Sequence, residues 1–430
     1  MTSAESLAST LVERGLDSRE HTTKRVMFDR VLGRFARYAG GEPEYAWWVP
    51  GRLEVFGKHT DYAGGRTLVC AVPRGFAVVA RRRADGELHV VDAKRDEVFA
   101  LRPSDTQVHG GWRHYAEVVA RRLARNFAGA SLGADVVLES DLPRASGMSS
   151  SSALVVSIAI ALVRVADLEH HAAWDANLRD PLDVASYFGC LENGMGFRAL
   201  AGDSGVGTHG GSEDHAAIVT ARVGAVTAFR FVPMWRLHDV PVPAGWRFVL
   251  SPCGVAARKT GTEMHKYNRL SEAARVLLEF WNASQTPAMS LGAAIAAEGS
   301  AMRLRQMIGA ARIPGWTSEA LERRLDHFIR EDARIDAAVE AFRAADQGRL
   351  AHLSAESQTD AETLLGNQIP ATVALARSAG ELGAFAACSF GAGFGGSVWA
   401  LVERAKADLF TRRWRSDAFV AWPGPPLVEL

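Results

Sequence analysis

The segment Ala134-Asp-Val-Val-Leu-Glu-Ser-Asp-Leu-Pro143-Arg-Ala-Ser-Gly147-Met148-Ser149-Ser150-Ser151-Ser152-Ala153 decides how the chain is read. Ala134 to Glu139 reads as a short strand, Pro143 to Ser152 as a Gly/Ser loop, and Ala153 to Val165 as a strongly apolar helix. Gly147 permits an open turn that a Cβ would obstruct. The serines then stand at a helix start, where unpaired N–H groups and the positive end of the dipole make an anion site. Their hydroxyls can donate to phosphate or ligate Mg²⁺. One serine would be only an N-cap. Four in succession, after glycine and before an apolar helix, point to phosphate binding.

Composition sets the bounds. The 430 residues are 48% apolar and 23% charged, a globular profile too long for one ordinary core, so two domains are expected. Forty-nine Lys plus Arg balance 49 Asp plus Glu. That balance points away from nucleic acid and anionic membranes and toward a metabolite-sized partner. Cys70, Cys190, Cys253 and Cys388 are scattered without a CxxC pair, so reduced thiols are expected rather than disulfides or zinc. Met1 to Leu11 has no apolar signal core, and Ala153 to Val163 is too short to span a bilayer. A cytoplasmic monomer or homodimer is expected.

Outward from the serine loop, residues 1 to about 45 read as helical and Trp47 to Phe56 as a strand. A turn-rich segment, Gly57 to Gly65, follows. Thr67 to Arg81 reads as further strand broken by Pro73 and Gly75, Leu88 to Leu101 as a hairpin, and Trp112 to Phe127 as a helix. Ala201 to Gly211 is a second glycine-rich stretch. Pro and short polar residues near Met234 to Pro243 mark a domain boundary, giving domains 1–235 and 236–430. Helices are expected at Glu272–Trp281, Met289–Ala297 and Thr317–Ala345.

Two glycine patterns mislead. Gly51 to Gly57-Lys58-His59 resembles a Walker A loop, but its gap is one residue too long and His59 replaces Ser or Thr. Gly391-Ala-Gly393-Phe-Gly395-Gly396 matches GxGxxG, but a strand-like Ser397 to Val402 follows where a dinucleotide site needs a helix. What survives is a loop that something approaches closely.

Three segments in order resemble the GHMP kinase superfamily, most closely galactokinases. Pro50-Gly-Arg52 through Gly57-Lys58-His59-Thr60-Asp61-Tyr62-Ala-Gly64-Gly65 is similar to the galactokinase signature with core GEHTDYNGG. Pro143 to Ala153 resembles the PxxxGLSSSA phosphate loop, and Gly391 to Gly396 the GAGFGG motif. Trp112-Arg-His-Tyr115, Gly211-Ser-Glu-Asp214-His215, Lys266-Tyr267-Asn268-Arg269 and Asn367-Gln368-Ile-Pro370 echo weaker family segments. The matches span about residues 50 to 400.

The resemblance implies a two-domain α+β GHMP kinase fold. Its N-terminal domain would be ribosomal-S5-like, its C-terminal domain ferredoxin-like, with the active site in the cleft between them. It implies transfer of the ATP γ-phosphoryl to the anomeric hydroxyl of galactose or a related sugar, with Mg²⁺. Asp214 would be the base or orient the hydroxyl, with Arg52 beside it. Gly147, Met148, Ser149, Ser150, Ser151, Ser152, Trp112 and Gly393 would hold ATP, Ser151 and Glu192 would hold Mg²⁺, and Lys58, His59, Asp61 and Tyr267 would face the sugar. Lys58 departs from the family's Glu and leaves three options: a uronate partner, a phosphate partner, or solvent. The stretch between Glu192 and Asp214 is also longer than the family's. His209 and His215 flank Glu213 without HExxH spacing. The rivals are a GHMP kinase for a uronic acid, arabinose or a heptose, and a non-catalytic sugar sensor.

Overall fold

The computed structural model describes residues 3–105, 107, 109–143, 146–255, 262–310 and 312–430. Among them, eight strands build one sheet: β1 (Tyr45–Phe56), β2 (Arg66–Arg82), β3 (Leu88–Asp92), β4 (Glu97–Leu101), β5 (Ala134–Ser140), β6 (Ala225–Arg230), β7 (Trp235–Pro241) and, from the chain end, β12 (Val428–Glu429). Four more, β8 (Trp246–Pro252), β9 (Ala386–Phe390), β10 (Ser397–Glu403) and β11 (Phe419–Ala421), form an antiparallel sheet in the order β11-β8-β10-β9.

The first sheet runs β12-β1-β2-β5-β3-β4, with β6 on β2 and β7 on β6. Both of its faces are covered, which is why β1 and β2 are apolar almost throughout. Trp47, Val49 and Val78 face the helices Arg113–Asn126 and Ser150–Val165. Trp48, Ala77 and Val79 alternate to the other face, against Phe28 and Phe35 of the helix His21–Ala39. Burying each of those phenylalanines stabilises by roughly 2–3 kcal/mol before entropy is counted.

The break expected at Pro73 is instead a change of partner. β2 pairs with β6 through Val69 and with β5 from Phe76, and the ladder to β1 skips residues 72–74. A residue without an N–H costs little there. The helix expected at Met289–Ala297 shrinks to Leu291–Ala294 and restarts at Ser300, after Gly299 at φ +76°.

The second sheet carries the helices Pro370–Glu381 and Ala407–Trp414 on one face. Phe248, Leu250 and Trp399 on its other face join the main core. The long helix Ser318–Arg343 links two cores: Ile335 and Phe342 lie in the main one, Leu321, Leu325 and Phe328 in a helical cluster. The chain leaves the first sheet only after β7. The domain division expected at 235–236 is therefore proposed instead between Pro241 and Trp246, with β12 returning to the first sheet.

Candidate active site

The serine helix opens three residues before the expected Ala153, at Ser150, behind a left-handed Ser149 at φ +58°. The serines themselves form the first turn. Ser149 makes no side-chain cap, and its Oγ is buried without a hydrogen-bond partner. A buried orphan hydroxyl at a helix N-terminus suits an anion. Gly147, at φ +74°, packs its carbonyl where a Cβ on Gly391 would lie 2.7 Å away, so the serine turn and the late glycine motif touch through backbone. Ser397 Oγ donates to the Ser146 carbonyl at 2.5 Å and pins the two together.

That first helical turn separates two cavities. Ser150 and Ser151 line one of about 430 Å³, with Trp112, Tyr115, Lys94 and Arg95. Ser152 lines the other, with Arg52, Asp61, Asp214 and Tyr267.

Asp214 stands in the first turn of the helix Glu213–Thr220. Its Oδ1 accepts from Arg52 Nε at 2.7 Å and its Oδ2 from Ser152 Oγ at 2.9 Å. Arg52 Nη1 also donates to the Gly147 carbonyl at 2.6 Å. The long 193–212 stretch folds back on itself: Asp203 and Val206 donate their N–H groups to Gly194 and Glu192, and buried Arg122 donates to the Met195 carbonyl.

Among the described residues lining this second cavity, Arg52 is the only permanent cation, and the same lining holds Glu54, Asp61, Glu192, Glu213 and Asp214. Arg52 Nη2 lies 3.6 Å from Glu54, and its Nε 3.2 Å from Glu213. Burial alone would lower the arginine's pKa, but Asp214, Glu213 and Glu54 outweigh it and raise it. Burial, then the neighbouring Glu54, pushes Glu213 well above the usual carboxylate range. Burial likewise raises Glu54 and Asp61.

The turn 57–65 supplies the wall opposite. Arg324 donates to the Tyr62 hydroxyl at 3.1 Å, so the Tyr62 proton goes to His59 Nδ1, 3.0 Å away. His59 Nε2 then donates to the Ala392 carbonyl at 3.1 Å. Asp61 Oδ2 accepts the Glu213 N–H at 3.1 Å. Only glycine at 211 allows this approach, since a Cβ there would fall 2.1 Å from Asp61 Oδ2. Tyr267 packs its ring 5.4 Å from that of His59.

Comparison with known proteins follows these same segments. Residues 33–82 match the galactokinase galactose-binding signature, 114–189 the GHMP kinases N terminal domain, and 337–420 the GHMP kinases C terminal domain. A galactokinase of Chloroflexus aggregans is 28% identical over 390 residues, covering 88% of this chain and 89% of its own. One of Streptomyces coelicolor is 27% identical over 398 residues, covering 90% and 92%. The crystal structure of Lactococcus lactis galactokinase complexed with galactose superimposes with a TM-score of 0.75 at 21% identity, covering 94% of this chain and all of that one. The Methanococcus jannaschii mevalonate kinase gives 0.56 at 13% identity, covering 89% and 99%. The chain is a galactokinase-like member of the GHMP kinase superfamily. The structural likeness carries the fold, and the matched segments, in order, carry the family.

The kinase brings Arg52, Asp214, Ser152, His59, Asp61, Glu192 and Tyr267 around one cavity, and Ser150, Ser151 and Trp112 around the other. Met148 contributes backbone: its side chain is buried in the core and its carbonyl accepts from Arg52 N–H at 3.4 Å. Gly393 lies against Asn367, whose carbonyl accepts the Phe394 N–H at 2.6 Å. Lys58 is the correction. It does not line the cavity of Arg52 and Asp214: its side chain is 1% exposed and points inward, with the ammonium 2.6 Å from Ser357 Oγ and 3.8 Å from Glu331. There the ammonium faces the buried Glu331 carboxylate rather than solvent. His215 pairs with Glu192 at 3.3 Å, and among the described residues no group of three or more His, Cys, Asp or Glu forms a metal cluster.

Sequence reading missed Lys94, Arg95, Glu54 and Glu213. Lys94 and Arg95 fall in the hairpin turn between β3 and β4, where a basic pair looks like an ordinary solvated turn. Glu54 sits on an apolar strand, and a buried carboxyl in that setting was a readable signal.

Proposed function

We propose that the chain is an ATP-dependent sugar kinase that transfers the γ-phosphoryl to the anomeric hydroxyl of galactose or a closely related neutral sugar. One observation carries this reading: consecutive residues at one helix start line two cavities, with Ser150 and Ser151 on one side and Ser152, bound to Asp214, on the other. A donor phosphate at the amino end of that helix would lie next to an acceptor held by Asp214.

In this scheme Trp112 and Tyr115 flank the nucleoside, and Lys94, Arg95 and the serine turn hold its phosphates. Gly393 and its neighbours close the turn from behind. Asp214 orients the sugar hydroxyl and takes its proton, and Arg52 holds the Asp214 carboxyl in place and offsets charge that develops on the transferred group. His59, Asp61 and Tyr267 hydrogen-bond the remaining hydroxyls.

Ser151 and Glu192 are hard oxygen donors beside the two cavities, a set that fits Mg²⁺ shared with nucleotide phosphates. That ion would supply charge neutralisation between the phosphates. Free Cys70, Cys190, Cys253 and Cys388, with an ATP substrate, support a cytoplasmic location. No helix among the described residues is long and apolar enough to cross a membrane.

Among the described residues, a lining rich in carboxyls, with Arg52 already bonded to Asp214, offers a uronic acid no unengaged cation, and Lys58 is engaged elsewhere. The joined Arg52, Ser152 and Asp214 favour an enzyme over a sensor. ADP release measured on galactose, arabinose, a heptose and galacturonate, beside Asp214→Asn, tests the reading. Turnover with galactose and none with galacturonate is expected. Sugar binding without ADP release on any sugar would favour the sensor.

A further inference from the structure

Lys58 and Glu331 form a buried ion pair behind the 57–66 loop, and no step of the phosphoryl transfer uses either. Glu331 is fully buried on the helix Ser318–Arg343. Its Oε1 accepts the backbone N–H groups of Gly57 at 3.0 Å and Lys58 at 3.3 Å. Ser357 Oγ bridges the pair, 2.9 Å from Glu331 and 2.6 Å from Lys58 Nζ. Arg334 adds a second counter-charge at 2.7 Å. Burial opposes both ionised groups, yet Lys58 holds Glu331 down at about 2, and Lys58 is itself raised, with Cys388 and Glu331 the leading causes.

The same helix grips the loop at two further points. Arg324 donates to the His59 carbonyl at 2.6 Å as well as to Tyr62. Asp332 accepts the Arg66 N–H at 2.7 Å. Position 324 lies about two turns before the adjacent positions 331 and 332, so all three reach the loop from one side of the helix. Between these grips the loop presents His59 and Asp61 to the sugar cavity.

We propose that Glu331, neutralised by Lys58, is a positioning residue that holds the 57–66 loop in register for the sugar, an inference that rests on the sugar-kinase reading above. A polar pair that served stability alone would change the folded fraction and leave both Michaelis constants in place. A positioning pair changes the sugar constant selectively.

The test is Glu331→Gln, read by hydrogen–deuterium exchange and by steady-state kinetics with galactose and ATP. Exchange in peptides covering 57–66 is expected to quicken at least tenfold, with the 150–165 peptides unchanged. The galactose KM is expected to rise at least tenfold and the ATP KM to change less than twofold. Unchanged exchange and unchanged galactose KM in the folded variant would overturn the inference. If Glu331→Gln does not fold, Lys58→Met/Glu331→Gln, which removes both charges, is read in the same way. Should the wild type not phosphorylate galactose, the functional reading fails on that result, and the exchange data alone decide whether Glu331 holds the loop.

Discussion

Arg52 donates its Nε–H to Asp214 at 2.7 Å across 162 residues of sequence, and its Nη1 reaches the Gly147 carbonyl at 2.6 Å. One rigid guanidinium on β1 thus ties the Asp214 carboxylate to the turn that opens the serine helix. Because the fork is planar, it fixes direction as well as distance.

Asp214→Asn keeps the size of the side chain and an acceptor for Ser152 but removes the charge and the basic oxygen. The expected kcat falls by about 10²–10⁴, the range for loss of a positioned base, while the galactose KM moves only a few-fold. ADP-release kinetics check it. A kcat within tenfold of wild type would assign Asp214 to orientation alone.

Arg52→Lys retains a cation and loses the fork. A single ammonium cannot hold Asp214 and the Gly147 carbonyl in the same geometry. The expected loss in kcat is about 10²-fold, comparable to removing one donor from a transition-state site. The same assay, compared with Arg52→Ala, separates charge from geometry.

The two cavities give separable variants. Trp112→Ala removes an aromatic surface from the proposed nucleotide side and is expected to raise the ATP KM roughly tenfold, the lower part of the range for base stacking. Tyr267→Phe is expected to raise the galactose KM and leave the ATP KM alone. If each variant moved both constants equally, the division at the serine turn would be wrong.

Much of this site was legible in the residues. The serine turn was readable from its own chemistry, while Arg52, His59, Asp61 and Asp214 stood out through the resemblance of their segments to galactokinases. Lys58 did not obey that logic, because its partner lies 273 residues later and nothing local reveals a buried carboxylate. Pro73 misled for a related reason: a proline is a strand breaker only where a ladder needs its N–H, and pairing is decided by β5 and β6, which come later in the chain. Lys94 and Arg95 lie on a turn whose functional face is set by tertiary placement alone.

Glu213 gives the fold a pH signature. Burial and Glu54 raise its pKa well above the ordinary 4.5, with Asp61 and Asp214 adding to the rise and Arg52 opposing it. A raised carboxyl contributes stability that is complete below the ordinary value and is lost as pH rises through the raised one. Glu213→Gln stays neutral throughout. Between about pH 5 and pH 8, the wild-type Tm is therefore expected to fall relative to the variant. Parallel Tm profiles would show that Glu213 is ionised in the folded state.

The most direct measurement is a crystal structure of Asp214→Asn with galactose and a non-hydrolysable ATP analogue. The expected result places the terminal phosphate at the amino end of the helix Ser150–Val165, with the base beside Trp112 and the anomeric hydroxyl within hydrogen-bonding distance of residue 214. A nucleotide bound elsewhere, or a sugar whose anomeric oxygen faces away from that phosphate, would contradict the account.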